Sequence, residues 1–214
     1  MQKNKKSARR RKEIFTAAKK LFEQQGYENT SIDQIVQEAG VAKGTFYYYF
    51  SSKEEALGAM MEEMDATALQ ALQPILNGPA PAPQKMALGL IALRRFYAGS
   101  HNMLENFKTL KDELMYYKSL IHSIHVLTAP FVQIIEQGIQ EGAFRCEYPT
   151  AFAENILTSA HFLLDGDILP TTHENFVQRL LVVQQLLEGG LGLAPGSLGF
   201  VADWERAVPA PPKE

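Results

Sequence analysis

The chain has one cysteine and one tryptophan in 214 residues. A lone Cys146 excludes an internal disulfide and any Cys-x-x-Cys redox or zinc pair, and it fits a reducing compartment. No apolar run approaches the roughly 18 residues of a membrane span. The basic N-terminus has no apolar segment behind it, so a signal peptide is not expected. These absences predict a cytoplasmic protein with no membrane partner. Also missing are G-x-S-x-G, a Gly-rich phosphate loop and H-E-x-x-H. Cys146 is followed by Glu147, an acidic neighbour that works against the thiolate a nucleophile needs. No enzyme and no cofactor are expected. Strand-type alternation is absent as well, whereas 3.6-residue periodicity recurs along the chain, which predicts an all-α fold.

Net charge is small and unevenly placed. The total of −3 argues by itself against a nucleic-acid partner. Residues 1–53, however, carry 11 Lys+Arg and 5 Asp+Glu, a balance of +6, and the remainder carries 10 and 19, a balance of −9. A basic module on an acidic body suits a protein that holds DNA with one part and keeps the other off the phosphates. Residues 3–12, KNKKSARRRK, have seven positive charges and no negative one. They are expected to form a flexible arm that adds salt-dependent contacts to phosphates or the minor groove.

The most informative stretch is Thr30 to Lys53, TSIDQIVQEAGVAKGTFYYYFSSK. Ile32, Ile35, Val36 and Ala39 form one helical face. Ser31 and Gln34 have the spacing of a capping box, and Gly40 stands where that helix must stop. Val41, Phe46 and Phe50 make a second, shorter apolar face, and Ser52 with Glu55 predicts another capping box opening a third helix. Two short helices joined by a Gly-containing turn are a helix-turn-helix, whose second helix enters the major groove. Once Val41, Phe46 and Phe50 face inward, Lys43, Gly44, Thr45, Tyr47 and Tyr48 are left to meet DNA. Tyr47, Tyr48 and Tyr49 span about 200° of a helix, so they cannot all be core.

This stretch resembles the DNA-binding domain of the TetR family of transcriptional regulators. The resemblance rests on Gly26-Tyr27, Thr30-Ser31-Ile32, Ile35, Ala39-Gly40-Val41, the run Lys43 to Phe50 and Ser52-Lys53-Glu54. It implies that Lys43, Gly44, Thr45 and Tyr47 face bases and that Thr30, Ser31, Tyr48, Tyr49 and Lys53 hold phosphates. Ala42 stands where many members have Ser, so the second helix lacks a side-chain N-cap, a loss of up to about 1 kcal/mol.

In chain order, Ile14, Ala17, Ala18, Leu21 and Phe22 predict a first helix that packs on the helix-turn-helix, giving a three-helix DNA-binding domain over residues 1–52. A helical ligand-binding and dimerisation domain is expected over 53–190 and a flexible or loosely docked tail over 191–214. Residues 53–76 read as one long helix, a lever about 36 Å long, stopped by the Pro-rich segment 77–83. One further helix is expected to begin near residue 84. Another carries Leu104, Phe107, Leu110, Leu114 and Tyr117, and a third covers about 120–141, with Pro130 kinking or breaking it. Glu141-Gly142-Ala143-Phe144 reads as a Gly stop followed by an apolar anchor. Two last helices are expected at about 149–165 and 173–189.

On those last helices Phe152, Ile156, Leu163, Phe176, Leu180, Val183 and Leu187 are candidate interface residues, with Leu181 and Val182 widening the stripe. A stripe wider than one partner helix needs suggests a second buried face. In similar proteins these helices pair with their copies, and a two-fold homodimer suits a palindromic operator in double-stranded DNA.

The resemblance also implies a small-molecule ligand that releases DNA, which would make the protein a repressor. Candidate ligand residues are His101, Asn102, Tyr116, Tyr117, His122, His125, His161 and Asp165, polar or aromatic groups on mostly apolar helices, and a hydrophobic or aromatic compound of modest size is expected. His122/His125 and His161/Asp165 have metal-ligand spacing, but no metal site is assigned. Control by a metal or by a protein partner stays open as the alternative.

Overall fold

The computed structural model describes residues 2–99, 113–163 and 172–201, and within them every regular element is a helix. They are α1 (Gln2–Gln25), α2 (Ile32–Ala39), α3 (Lys43–Tyr49), α4 (Lys53–Asn77), α5 (Ala82–Gly99), α6 (Glu113–Gln140), α7 (Pro149–Leu163) and α8 (His173–Gly190). The described residues divide into two compact units, 2–66 with 113–119, and 67–99 with 120–163 and 172–201. The division falls inside α4, not at the expected 52/53 boundary. Ala56, Leu57, Met60 and Met64 in the first half of α4 are buried in the first unit.

Local chemistry accounts for most helix ends in the first unit. Ser31 Oγ accepts from Gln34 N at 3.2 Å while Gln34 Oε1 accepts from Ser31 N at 2.7 Å, so the expected capping box is formed in both directions. Gly40 ends α2 at φ +63°, a conformation that favours glycine. Ala42 makes no side-chain cap on α3, as its methyl group dictates. The second box differs from expectation. Ser52 Oγ accepts from Glu55 N at 3.2 Å, but the Glu55 carboxylate reaches one residue further back, to Ser51 N at 2.6 Å and Ser51 Oγ at 2.7 Å.

The basic segment 3–12 is also not a separate arm, because α1 begins at Gln2 and runs through it. Glu13 pairs with Arg9 at 2.9 Å and Arg10 at 2.8 Å, which supports those turns at helical spacing.

The second unit is built around Leu72, Met86, Leu90, Leu127, Phe131, Ile134, Phe144, Leu157, Leu180 and Leu187, all buried. Lys85 is buried, and its ammonium donates to Leu76 O at 2.6 Å and Gln137 Oε1 at 2.9 Å, satisfying a carbonyl in the last turn of α4. Helix α6 is continuous from Glu113 to Gln140, so Leu114 and Tyr117 share one helix with Leu127, and Pro130 does not break it. The expected separate helices are one element over the described residues. Gly142 then takes φ +72° and Phe144 is buried, the stop and anchor the sequence predicts.

The expected tail is docked as far as the structure describes it. Leu191, Leu198 and Phe200 are buried in the core. Glu188, itself buried, accepts from Gly196 N at 2.7 Å, Leu198 N at 2.9 Å and Gln184 Nε2 at 3.0 Å. A carboxylate that gathers backbone N–H groups folds a Gly- and Pro-rich segment that has no helical period of its own. Residues 202–214 lie outside the described residues.

Gly138 lies beneath the Phe144 ring, and a Cβ there would come within 2.0 Å of Cδ2. Gly138→Ala is therefore expected to destabilise the protein by about 1–3 kcal/mol through overpacking, despite the roughly 1 kcal/mol that Ala gains over Gly in a helix. Urea denaturation of the two proteins measures the difference.

Candidate nucleic-acid interface

Helix α3 has seven residues and no side-chain cap, too little to persist alone. It is held from below by Phe46 and Phe50, both fully buried, their ring centroids 5.9 Å apart. Arg11 of α1 closes over the Phe50 ring with its guanidinium carbon 4.8 Å from the centroid. With those two rings fixed inward, the 100° step of the helix turns the next positions out. Tyr47 is 49% exposed and Tyr48 77% exposed. Tyr49 is half-buried and meets Tyr48 edge-to-face, and Gly44 has open space where a side chain would be. Lys43 is exposed and Thr45 half-buried.

The other expected DNA-facing residues divide. Ser31 is exposed, though its hydroxyl is engaged in capping α2. Thr30 is 2% exposed and its hydroxyl donates to Gly26 O at 2.7 Å, so its side chain holds the α1–α2 turn. Lys53 is likewise turned to the protein. Its ammonium donates to Tyr27 O at 2.8 Å and Thr30 O at 2.9 Å and lies 3.9 Å from the Tyr27 ring centroid. In this structure the side-chain polar atoms of Thr30 and Lys53 are engaged by backbone carbonyls.

Two contacts that the sequence does not announce hold this region together. Asp33 Oδ1 lies 2.8 Å from Lys43 Nζ, tying α2 to the first residue of α3. That hydrogen bond raises the Lys43 pKa above its ordinary value. Tyr27 Oη donates to Glu54 Oε1 at 2.5 Å, binding the α1–α2 turn to the start of α4. Both contacts cross a turn, so no helical spacing announces them.

Of the expected ligand residues, the structure describes the side chains of Tyr117, His122 and His125. His101, Asn102 and Asp165 lie outside the described residues, and Tyr116 and His161 fall on α6 and α7. Tyr117, His122 and His125 are exposed on α6, Tyr117 in the first unit and the histidines in the second, so these three do not line an enclosed apolar site. Among the described residues no group of three or more His, Cys, Asp or Glu could hold a metal ion. No described helix is long and apolar enough to cross a membrane. A groove of about 750 Å³ between α1 and α4 is bordered by Arg11, Lys12, Lys19, Lys20, Glu62 and Glu63. It is bordered by charges of both signs and belongs to the first unit, not to the helical body where a ligand is expected.

The candidate interface residues also divide. Ile156, Leu180, Val183 and Leu187 are buried in the core of their own chain. Phe152, Leu163 and Phe176 are half-buried. The apolar residues that α8 leaves exposed are Leu181 at 43%, Val182 at 48% and Leu186 at 52%.

Comparison with known proteins agrees with this architecture. A family model described as bacterial regulatory proteins, tetR family, matches residues 14–60, and one described as tetracyclin repressor-like, C-terminal domain, matches residues 98–186. The fatty acid metabolism regulator protein of Bacillus subtilis (strain 168) is 31% identical over 91 residues, 42% of this chain and 47% of that protein. The chain thus spans about half the length of that relative. YhgD, an uncharacterized HTH-type transcriptional regulator of the same bacterium, is 29% identical over 142 residues, 64% of this chain and 72% of its own. Among solved structures, RolR in complex with resorcinol superposes with a TM-score of 0.67 at 18% identity, covering 98% of both chains. A TetR-family regulator from Syntrophomonas wolfei superposes with a TM-score of 0.65 at 23% identity, covering 87% of this chain and 97% of that one. At these identities the structural likeness is one of fold.

The Tyr27 hydroxyl is the foremost cause holding the Glu54 carboxyl below its ordinary 4.5. A carboxylate so depressed contributes stability above its unfolded pKa and loses it as pH falls through the folded value. Tyr27→Phe is expected to lower stability at pH 7 by up to about 1 kcal/mol, an upper figure because Glu54 is exposed. The gap should narrow as acid protonates Glu54, and urea denaturation across that pH range measures it.

Proposed function

The chain belongs to the TetR family of bacterial regulatory proteins, and on that premise we propose that it is a dimeric repressor that reads a palindromic operator through α3 and leaves it when a small apolar compound binds the second unit. The observation that carries the reading is the split within α3: Phe46 and Phe50 are sealed while Tyr47 and Tyr48 project from the surface beside an open Gly44. Lys43, Gly44, Thr45 and Tyr47 then meet base edges, and Ser31, Tyr48 and Tyr49 meet phosphates. The family is one of transcriptional regulators and not of enzymes.

A second copy of the chain covers the face of α8 that carries Leu181, Val182 and Leu186. Exposed apolar residues grouped on one helix are the mark of an interaction face, and two-fold pairing presents two copies of α3 to successive turns of DNA. The reading of the ligand as apolar rests on the buried aliphatic and aromatic core of the second unit. It is supported by relatives named for fatty acid metabolism and for resorcinol binding.

Lys43 reaches DNA only by sharing or leaving Asp33. Asp33→Asn is expected to tighten binding to DNA of any sequence about two- to five-fold, the range of an exposed ion pair. Unchanged affinity in fluorescence anisotropy would place Lys43 away from DNA. The double substitution Leu181→Lys with Leu186→Lys should convert the dimer to a monomer in light scattering at unchanged helix content, and a persisting dimer would refute that face. The function as a whole is tested by selecting binding sites from random DNA. A palindromic consensus, released by one class of apolar compound, is expected; selection that yields no shared sequence contradicts the reading.

A further inference from the structure

Polar groups inside the second unit are almost all satisfied. Lys85 has two acceptors, Glu188 has three donors, and Thr128 Oγ1 donates to Ile124 O at 2.8 Å. Among the described residues two buried polar atoms lack a partner, Gln184 Oε1 and Arg94 Nε, and of the two only Arg94 of α5 carries a charge. It is half-buried on a helix whose Leu90, Ile91 and Leu93 are all buried. Its Nε is sealed from solvent and bonds to nothing, and no carboxylate pairs with it among the described residues. The guanidinium carbon lies over the Phe176 ring, 5.4 Å from its centroid. Arg95, next along the chain, is exposed.

A guanidinium keeps its charge at any physiological pH. Burial works against that charge and lowers the Arg94 pKa, and no counter-charge among the described residues answers it. The Phe176 ring covers one face of the guanidinium and leaves its edge donors unused. Those donors form a planar fork whose geometry matches a carboxylate. Phe176 also stands in the first turn of α8, where helical N–H groups place partial positive charge. Glu174 of the same turn is exposed and accepts from Gln178 Nε2 at 3.5 Å.

We propose that Arg94, seated on Phe176, is the anchor for the anionic group of the ligand, which is therefore a carboxylate on an otherwise apolar small molecule. This inference rests on the ligand-released reading above and narrows it. The apolar body of the compound lies against the aliphatic core, and its carboxylate takes the unused N–H donors of Arg94. Neutral compounds of the same shape leave those donors unpaired and bind more weakly.

The test uses the full chain and matched pairs of probes: straight-chain and aryl carboxylates, each beside its primary amide. Binding is read by isothermal titration and by release of the selected operator in fluorescence anisotropy. Carboxylates are expected to bind at least ten-fold more tightly than their amides. Arg94→Met, which fills the same space without charge, should retain the wild-type circular dichroism melt and DNA affinity but bind acid and amide alike. Arg94→Lys keeps a charge without the fork and should retain part of the preference. If amides match acids on the wild type, or Arg94→Met keeps the preference, the anchor is overturned and the ligand reading stands. If no acid, amide or other apolar compound binds, both are overturned.

Discussion

Two buried rings hold a helix that could not otherwise exist. Helix α3 is seven residues long, starts on an alanine that caps nothing, and gains its place by sinking Phe46 and Phe50 into the first unit. Complete burial of two aromatic side chains contributes on the order of 3–6 kcal/mol, more than the missing cap removes. The direction of every outward residue follows from that anchoring. Tyr47 and Tyr48 are exposed because the rings on either side of them are not. The capping box of Ser31 and Gln34, the left-handed Gly40 and the Arg11 lid over Phe50 all fix the same short segment from different sides.

What the sequence disclosed was what local spacing governs. Ser31 with Gln34, Gly40, Gly142 and the buried Phe144 follow from rules that span a few residues. The polar side chains that bridge turns were hidden for the opposite reason. Thr30 and Lys53 look available in a linear reading, but their partners are the carbonyls of Gly26, Tyr27 and Thr30, which only the folded turn brings near. Asp33 and Lys43 are ten positions apart and meet through the same turn. Periodicity found the apolar stripe of α8 but not which edge of it faces outward. Leu180, Val183 and Leu187 serve the chain's own core and Leu181, Val182 and Leu186 lie outside. Glu188 shows the same limit, since nothing in a Gly- and Pro-rich tail predicts that a carboxylate in the preceding helix will gather its backbone.

The two units divide the chemistry between them. The first carries the positive balance of residues 1–53 around a small aromatic core and leaves most of those basic residues at the surface, where Coulomb attraction to DNA is long-ranged and salt-dependent. The second is apolar inside, and among its described buried polar atoms only Arg94 Nε and Gln184 Oε1 lack a partner. Helix α4 begins in one unit and ends in the other. Helix α6 crosses from the first unit to the second as well, at 119/120.

The central claim is that the anchoring of α3 dedicates Tyr47 to reading sequence. The most direct measurement is a titration of wild type and Tyr47→Ala against the selected operator and a scrambled duplex, repeated across salt concentrations. The account predicts a loss of about 1–3 kcal/mol on the operator, no change on the scrambled duplex and an unaltered salt slope. Equal weakening on both duplexes, or no weakening on either, would contradict it.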